Sequence, residues 1–572
     1  MDDRTHTPVL IAGGGPVGLA LALDLGRRGI ASTLVERDPG TGTELLAKAD
    51  LLNERSMEFC RLLGIADEVA NSGFPDDVPR DTVYCTSLNG YLIGREPLPS
   101  TKERPLPPQT PEMHRRCPQF LFDPLLARAV ARRGMTDLRY STELESFVQD
   151  DDGVTCVVRR TDDRSRQEVR ARYLVGCDGL TSGVRKALGI SFGGVQLDYS
   201  VSVVVRAEQL TRFHPFGMAE RYMFIGPEGT WANLTSVDGR SLFRFTMVGS
   251  EEKLDPDHLD MHALLRRAFG RPDIPYELMR VMPFRRSQFT AERFHCGRVF
   301  LAGDAAHTMS PTGGHGLNTG LGDVTDLGWI LEASVRGWGG PALAGAYTAE
   351  RRPVALRNGS SSTRNYAAWV DREGRELVLE PGPEADAQRE ALGRTLTEKL
   401  KQEWHSFGIA MGYDYAGSPV IVPDGSSAPP DEPSSYVQTA RPGHRAPHAW
   451  LPDGRSIIDL FGGGFVLLRF GTDAAATGAI ESAARSAGMP LECLTMTDPH
   501  LAALYERRLV LVRPDGMVAW RGDTAPEDAQ ALVDHVRGAA KTPAGADREG
   551  ETHGTAHFRG GTGNPVGSAQ RH

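Results

Sequence analysis

The stretch VLIAGGGPVGLALALDL, residues 9–25, constrains this chain more than any other. Val9–Ala12 is a short apolar run that reads as a buried strand. Gly13, Gly15 and Gly18 fit G-x-G-x-x-G, with Pro16 and Val17 inside the motif. The residues that follow are almost all Ala and Leu, which reads as a helix buried on most sides. A second strand, Ser32–Val35, runs into Glu36 and Arg37. Strand, Gly-rich turn, helix, strand and terminal acid within about thirty residues are the context in which the motif has meaning. Gly13 permits the tight turn, Gly15 lets backbone approach a pyrophosphate, and Gly18 lets the helix pack near the strand. The unpaired N–H groups and the positive end of the helix face the phosphates. Glu36 can accept from a ribose 2′-OH and would repel a 2′-phosphate. FAD or NAD therefore fits better than NADP, and the motif does not choose between them.

The chain has 572 residues, which predicts two to four domains. A net charge of −10 argues against nucleic acid or an anionic membrane as partner. No apolar run reaches the roughly 18 residues of a membrane helix, and residues 1–8 lack the apolar core of a signal peptide, so a cytoplasmic protein is expected. The seven cysteines are scattered, odd in number and without C-x-x-C. They read as reduced thiols, with no metal site expected.

Further along, ADLLNERSMEFCRLLGI is helical in pattern, preceded or opened by Lys48, Asp50 and Arg55. Residues 75–115 are Pro-rich, a hairpin and a long loop. An amphipathic helix starts at Asp123 or Pro124, with Gln119 just before it. Strands follow from Leu138 to Val158. Tyr173–Cys177 is a strand with Asp178-Gly179 at its carboxyl end, where open α/β sheets bind ligands, and Arg185 lies on the next helix. From 198 to 250 the pattern changes to short alternating segments, an antiparallel sheet with one covered face. Its aromatics Tyr222, Phe224, Trp231 and Phe245 are either core or the lining of an apolar substrate pocket. Val299–Ala302 then delivers Gly303-Asp304, a Pro/Gly loop and a helix beginning near Gly316, Leu317 and Asn318. Asp304 is placed to hydrogen-bond cofactor hydroxyls, and the helix start suits an anion forming on a ligand. His307 reads as a packed or capping residue, while His315 stays open between site and structure. Residues 423–435 read as linker or loop. Strands at 456–470, 507–513 and 518–520, with a helix to about 540, read as a small α/β domain.

G-x-G-x-x-G, then Asp178-Gly179, then Gly303-Asp304 resembles the class A flavoprotein aromatic hydroxylases, the p-hydroxybenzoate hydroxylase fold. GHRAPHAWL, LFGGGFVLLRFG and LVRPDGMVAWRGD resemble the thioredoxin-like C-terminal domain of larger members. The chain looks most like the polyketide branch, the tetracenomycin-type hydroxylases in particular, and is also similar to indolocarbazole-pathway flavoenzymes. The resemblance implies an α/β fold with a Rossmann-like FAD-binding domain in two parts, residues 1–190 and 286–410. An antiparallel-sheet substrate domain, 191–285, is inserted between them. A C-terminal thioredoxin-like domain, 411–540, and a disordered tail, 541–572, complete the chain.

It further implies FAD held by Gly13, Gly15, Pro16, Val17, Gly18, Glu36 and Arg37, with Gln119, Asp178, Arg185 and Asp304 completing the site. The helix from Gly316 would face the flavin pyrimidine. Where relatives show Pro-Arg-Ala this chain has Ala47-Lys48-Ala49, which keeps a charge at Lys48 and loses bidentate geometry. The C-terminal domain lacks C-x-x-C, so packing or dimerisation is its expected role. The implied activity is NADH- or NADPH-dependent, O2-dependent hydroxylation of a polycyclic aromatic through a flavin C4a-hydroperoxide, in antibiotic biosynthesis. The cofactor carries the chemistry while the protein positions the ring and excludes water. Candidates for a substrate-ionising residue are Asp50, Arg221, Tyr222 and His315. The alternatives are a flavin-binding partner protein that shields an intermediate, a Baeyer–Villiger-type oxygenase, and an NAD-dependent dehydrogenase.

Overall fold

The computed structural model describes residues 5–41, 48–471 and 476–540. Ala47 and the 541–572 tail lie outside the described residues. The first strand, Thr5–Ala12, has Val9, Leu10 and Ile11 fully buried and runs parallel to both Ser32–Val35 and Arg166–Gly176. Thr136–Arg139 and Val299–Leu301 extend the parallel set on either side. The register pairs Ala12 with Val35 and Gly176, and Gly176 with Leu301. Four strand ends are therefore level, and the turns after them open onto one cleft, the usual ligand edge of an open parallel sheet.

The helix after the Gly turn, α1 (Pro16–Arg27), starts on Pro16, where a missing N–H costs nothing. Then come α2 (Glu54–Leu63), capped by Asn53, and the short α3 (Ala66–Ala70). The next helix, α4 (Gln119–Arg133), begins four residues before the sequence-based start, which leaves Gln119 inside it. The cause is tertiary: the Gln119 N–H donates to the Ala49 carbonyl, while Pro118 takes the N-cap position. The helix after Asp178-Gly179, α5 (Gly183–Ala187), is one turn long and capped by Ser182.

The second sheet has eight strands, and the 191–285 segment does not hold all of it. Its order is His307–Thr308, Glu277–Ala291, Phe192–Arg206, Leu242–Ser250, Gly229–Ser236, Arg221–Gly226, Thr82–Cys85 and Leu92–Glu96. The two 15-residue strands Phe192–Arg206 and Glu277–Ala291 pair over most of their length and tie this sheet to the parallel-sheet half. One face packs on α6 (Met261–Phe269). Then follow α7 (His315–Arg336), α8 (Ala342–Val370), α9 (Pro383–Trp404) and α10 (Phe407–Met411).

The C-terminal sheet has the order Leu491–Met496, Phe465–Phe470, Leu509–Val512, Val518–Gly522. Its second strand is parallel to one neighbour and antiparallel to the other, a thioredoxin-like arrangement. The strand read at 456–470 is shorter than expected. Ser456 and Asp459 form a capping box that turns 457–460 into a 3-10 turn, and Gly462 takes φ +105°. Residues 423–435 are strapped down by two ion pairs, Arg521–Asp424 and Arg357–Asp431.

Candidate active site

The Gly turn is shaped by its neighbours at two of its three glycines. Gly13 has φ +111°, and a Cβ there would overlap the Cys177 carbonyl that precedes Asp178. A Cβ on Gly18 would overlap the Gly13 carbonyl oxygen. Gly15 differs, since a Cβ there would meet no protein atom within 4 Å. That side is open space, so no protein atom needs the position bare. Val17 packs against Gly303 and Gly320 and so joins α1 to the Asp304 turn and α7.

Glu36 is fixed by two backbone donors, Gly14 N–H at 2.6 Å and Asp38 N–H at 2.9 Å. Asp304 has no protein hydrogen-bond partner among the described residues. Asp304 is exposed to the cleft, and the protein packed around it raises its carboxyl, with His307 and Lys48 only partly offsetting this. A carboxylate left bare in a cleft is suited to polyol hydroxyls. Asp123 is a further acid there, missed by the sequence. It accepts from Gln119 Nε2 at 3.0 Å, and burial pushes it up to about 7. An open Gly turn, a fixed acid, a bare acid and the free N–H groups at the start of α7 fit a dinucleotide such as FAD.

Asp178 and Arg185 are committed to structure. The Asp178 carboxylate accepts from Ser182 Oγ at 2.5 Å and Val184 N–H at 3.1 Å, capping α5. Arg185 donates to the Ala305 and Leu180 carbonyls and stacks on Phe192, 3.8 Å from the ring centre. It ties the Asp178 turn to the Asp304 turn through the Leu180 and Ala305 carbonyls. Arg37 is exposed beside Glu36, and Lys48 is exposed with its ammonium close enough to lower Asp304 and Asp123.

Opposite lies the second sheet. Alternation along its strands puts Arg221, Arg244 and Thr246 on the face toward the cleft, while Tyr222, Phe224, Phe243 and Phe245 point the other way. Tyr222, Phe224, Trp231 and Phe245 therefore do not line the substrate cleft. They fill the core between sheet and α6, with Phe224 stacked on Trp231 at 5.7 Å. Tyr222 Oη donates to the Gly217 carbonyl at 2.5 Å, which is why a buried phenol is tolerated there and why it is no catalytic group. Phe245→Leu is expected to cost about 1 kcal/mol of stability and leave substrate KM unchanged, read by thermal melts beside steady-state kinetics.

Asp50 is buried against Arg116 (2.5 Å) and Arg244 (3.2 Å). Burial pushes its carboxyl up, but Arg116, Arg244 and Arg221 outweigh this and hold it below the usual range. An ionised, doubly paired Asp50 is a poor base. Arg221 lies over the Trp404 ring at 4.6 Å, with Glu403 at 3.7 Å. Glu403 is the second residue the sequence missed. It is 4 % exposed, accepts from Trp369 Nε1 (2.6 Å) and Gly313 N–H (3.3 Å), and burial pushes it up to about 7.

His315, the first residue of α7, is buried and pushed down to about 4 by burial, so it is neutral. Its ring lies under the Gly313 turn, which makes it part of the support for that turn. Asn318 clamps two segments: its Oδ1 accepts from Asn53 N–H (2.9 Å) and its Nδ2 donates to the Leu51 carbonyl (3.0 Å). His307 Nε2 donates to the Asp323 carboxylate, 2.8 Å away and fully buried, a packed role.

Known proteins resemble this chain over most of its length. Residues 6–361 match the family described as FAD binding domain, and residues 439–543 match the family described as aromatic-ring hydroxylase, C-terminal. The chain is 33% identical to the tetracenomycin B2 monooxygenase-dioxygenase of Streptomyces olivaceus, over 93% of this chain and 98% of that protein. Among solved structures, RebC soaked with chromopyrrolic acid and holding 7-carboxy-K252c is 39% identical, with a TM-score of 0.87 over 94% of this chain and 100% of RebC. A ternary complex of aklavinone-11 hydroxylase with FAD and aklavinone is 28% identical, with a TM-score of 0.74 over 94% of this chain and 100% of that one.

Proposed function

Because the chain belongs to the FAD-dependent aromatic-ring hydroxylase family, we propose that it hydroxylates a fused polycyclic phenol, with NADH or NADPH as reductant and O2 as oxidant. The observation that carries this reading is the convergence of the Gly15 turn, Glu36, the bare Asp304 and the start of α7 on one cleft, faced by a cationic sheet surface. Bound there, FAD supplies electron transfer from the nicotinamide and activation of O2. Tetracyclic polyketides and fused indole-derived rings both have the flat, electron-rich character required. The relatives are named for tetracenomycin B2, for 7-carboxy-K252c and for aklavinone.

The chain's own residues have separable tasks. Gly14 N–H holds Glu36 ready for a ribose hydroxyl. Gly316, Leu317 and Asn318 offer backbone N–H groups and the positive helix end to an anionic flavin ring. Arg221 and Arg244 favour a substrate in its phenolate form, which is the form more reactive to an electrophilic oxygen. Glu403, beside Arg221, is the group able to take the phenol proton near neutral pH. With Tyr222, Phe224 and Phe245 buried on the α6 side, Arg221 and Arg244 on the other face orient a substrate by charge as well as by shape.

The proposal is tested with ¹⁸O2: one labelled atom enters a hydroxyl of the product while NAD(P)H and O2 are consumed. Label without a new hydroxyl, as in ring expansion, would overturn hydroxylation, and FAD-dependent stabilisation of an intermediate without label would favour a shielding role. The Glu403 assignment has its own signature. Its carboxyl is raised to about 7, so kcat/KM rises with pH through that value as it ionises. Glu403→Gln is expected to flatten that limb. The sign for stability is opposite: the native state keeps a proton that the unfolded chain has lost, so wild-type stability falls between the usual glutamate range and about pH 7.

A further inference from the structure

The turn between the last two C-terminal strands, Arg513 to Gly516, reaches three helices of the flavin half. Arg513 is 0 % exposed, and its Nη1 and Nη2 donate to the two carboxylate oxygens of Glu350 on α8, at 2.5 and 2.9 Å. Its Nε donates to Asp515 at 3.0 Å. The Asp515 carboxylate accepts from Trp329 Nε1 of α7 at 3.1 Å, and the Asp515 carbonyl accepts from Arg55 Nη2 of α2 at 2.8 Å. A guanidinium so buried has to stay fully paired, so this turn cannot drift without stranding a charge. The neighbouring contact between Arg61 and Asp459 is different, because Arg61 is 33% exposed and can exchange its partner for water.

Two of the three helices begin at the flavin cleft. Arg55 sits in the first turn of α2, two residues after Asn53, whose N–H is held by Asn318. Asn318 also holds Leu51, and the segment before it supplies the Lys48 carbonyl and the Asp50 carboxylate to Arg244. Whatever fixes Arg55 therefore fixes the clamp between α2 and the start of α7. We infer that the C-terminal domain is a positioning element of the flavin site: the Asp515 carbonyl, by holding Arg55, sets the first turn of α2 against Asn318 and so orients the N-terminus of α7. The inference rests on FAD occupying the cleft. It gives the domain a task other than thiol chemistry, dimerisation or mere bulk.

The test uses the full-length chain. Arg55→Met is expected to raise the FAD dissociation constant about tenfold and change the visible circular dichroism of bound flavin. Arg55→Lys recovers most of both, and Arg61→Met, which cuts another contact between α2 and the same domain, changes neither. In wild type, adding FAD to apoprotein slows hydrogen exchange at the Gly516 and Met517 amides, far along the chain from any flavin contact. Equal FAD affinity in Arg55→Met and Arg61→Met, or no FAD-dependent protection at residues 513–517, would overturn the inference. The exchange measurement decides it if Arg55→Met does not fold. A wild-type apoprotein that takes up no FAD would instead overturn the cofactor reading, and the inference with it.

Discussion

Gly15→Val is expected to yield a folded apoprotein that binds FAD at least about 100-fold more weakly, a loss of about 2.7 kcal/mol. The reason lies in what surrounds the three motif glycines. Gly13 needs its positive φ and its closeness to Cys177, and Gly18 needs its closeness to Gly13, so side chains at either one disturb the fold itself. Gly15 has extended backbone and open space beside its Cα, with no protein atom within 4 Å of the point a Cβ would occupy. A valine there clashes with nothing until a pyrophosphate arrives. It then occupies the place where phosphate oxygens would meet the N–H groups at the start of α1. Flavin titration and the melting temperature of the apoprotein separate the two effects. Gly18→Val is the contrast, expected to lose soluble protein altogether. Wild-type FAD affinity in Gly15→Val would mean that no pyrophosphate lies over this turn.

The parts of the site written in short backbone motifs were readable in the sequence. The Gly turn, Glu36 and Asp304 each sit at the end of a strand, and strand ends in a parallel sheet are brought level by register alone. What could not be read were partners chosen across long stretches of chain. Glu403 reaches Gly313 from α9, and Asp123 matters only because α4 begins early, held by the Ala49 carbonyl. The aromatic strands show a subtler limit. Period-two alternation places Phe243 and Phe245 on one face and Arg244 and Thr246 on the other, but it does not say which face meets the cofactor. A charged residue between two phenylalanines was the available signal. It marks the face that cannot be core, and so the face left for a ligand. Asp178 has a task that its strand-end position does not announce: its carboxylate accepts from Ser182 Oγ and the Val184 N–H at the start of the next helix.

Arg513→Met is expected to cost about 3–5 kcal/mol of stability at neutral pH and to recover as the pH is lowered. Asp326, Glu350 and Asp515 bring carboxylate oxygens within 4.8 Å of one another, all buried. In the wild type Arg513 pairs with two of them, and Arg351 is the other nearby cation, 3.9 Å from Asp326. Burial already pushes Asp326 up to about 8, against Arg351 and with Asp515 and Glu350 adding to the rise. Its Oδ2 accepts from the Tyr415 phenol, 2.6 Å away. Removing Arg513 leaves Glu350 and Asp515 facing each other without a cation between them. It also takes away a cation that lowers the Asp326 carboxyl, which then rises further above the unfolded range. A raised carboxyl means the native state binds more protons than the unfolded chain, so stability falls as pH rises and is regained below it. Thermal melts between about pH 5 and pH 8 would show the variant approaching wild type at the acid end. A deficit of the same size at every pH would mean that lost packing on Trp329, whose ring centre lies 5.1 Å from the guanidinium, outweighs the charge. The cluster of three acids would then be neutral by other means, and Arg513 a spacer between the C-terminal turn and α7.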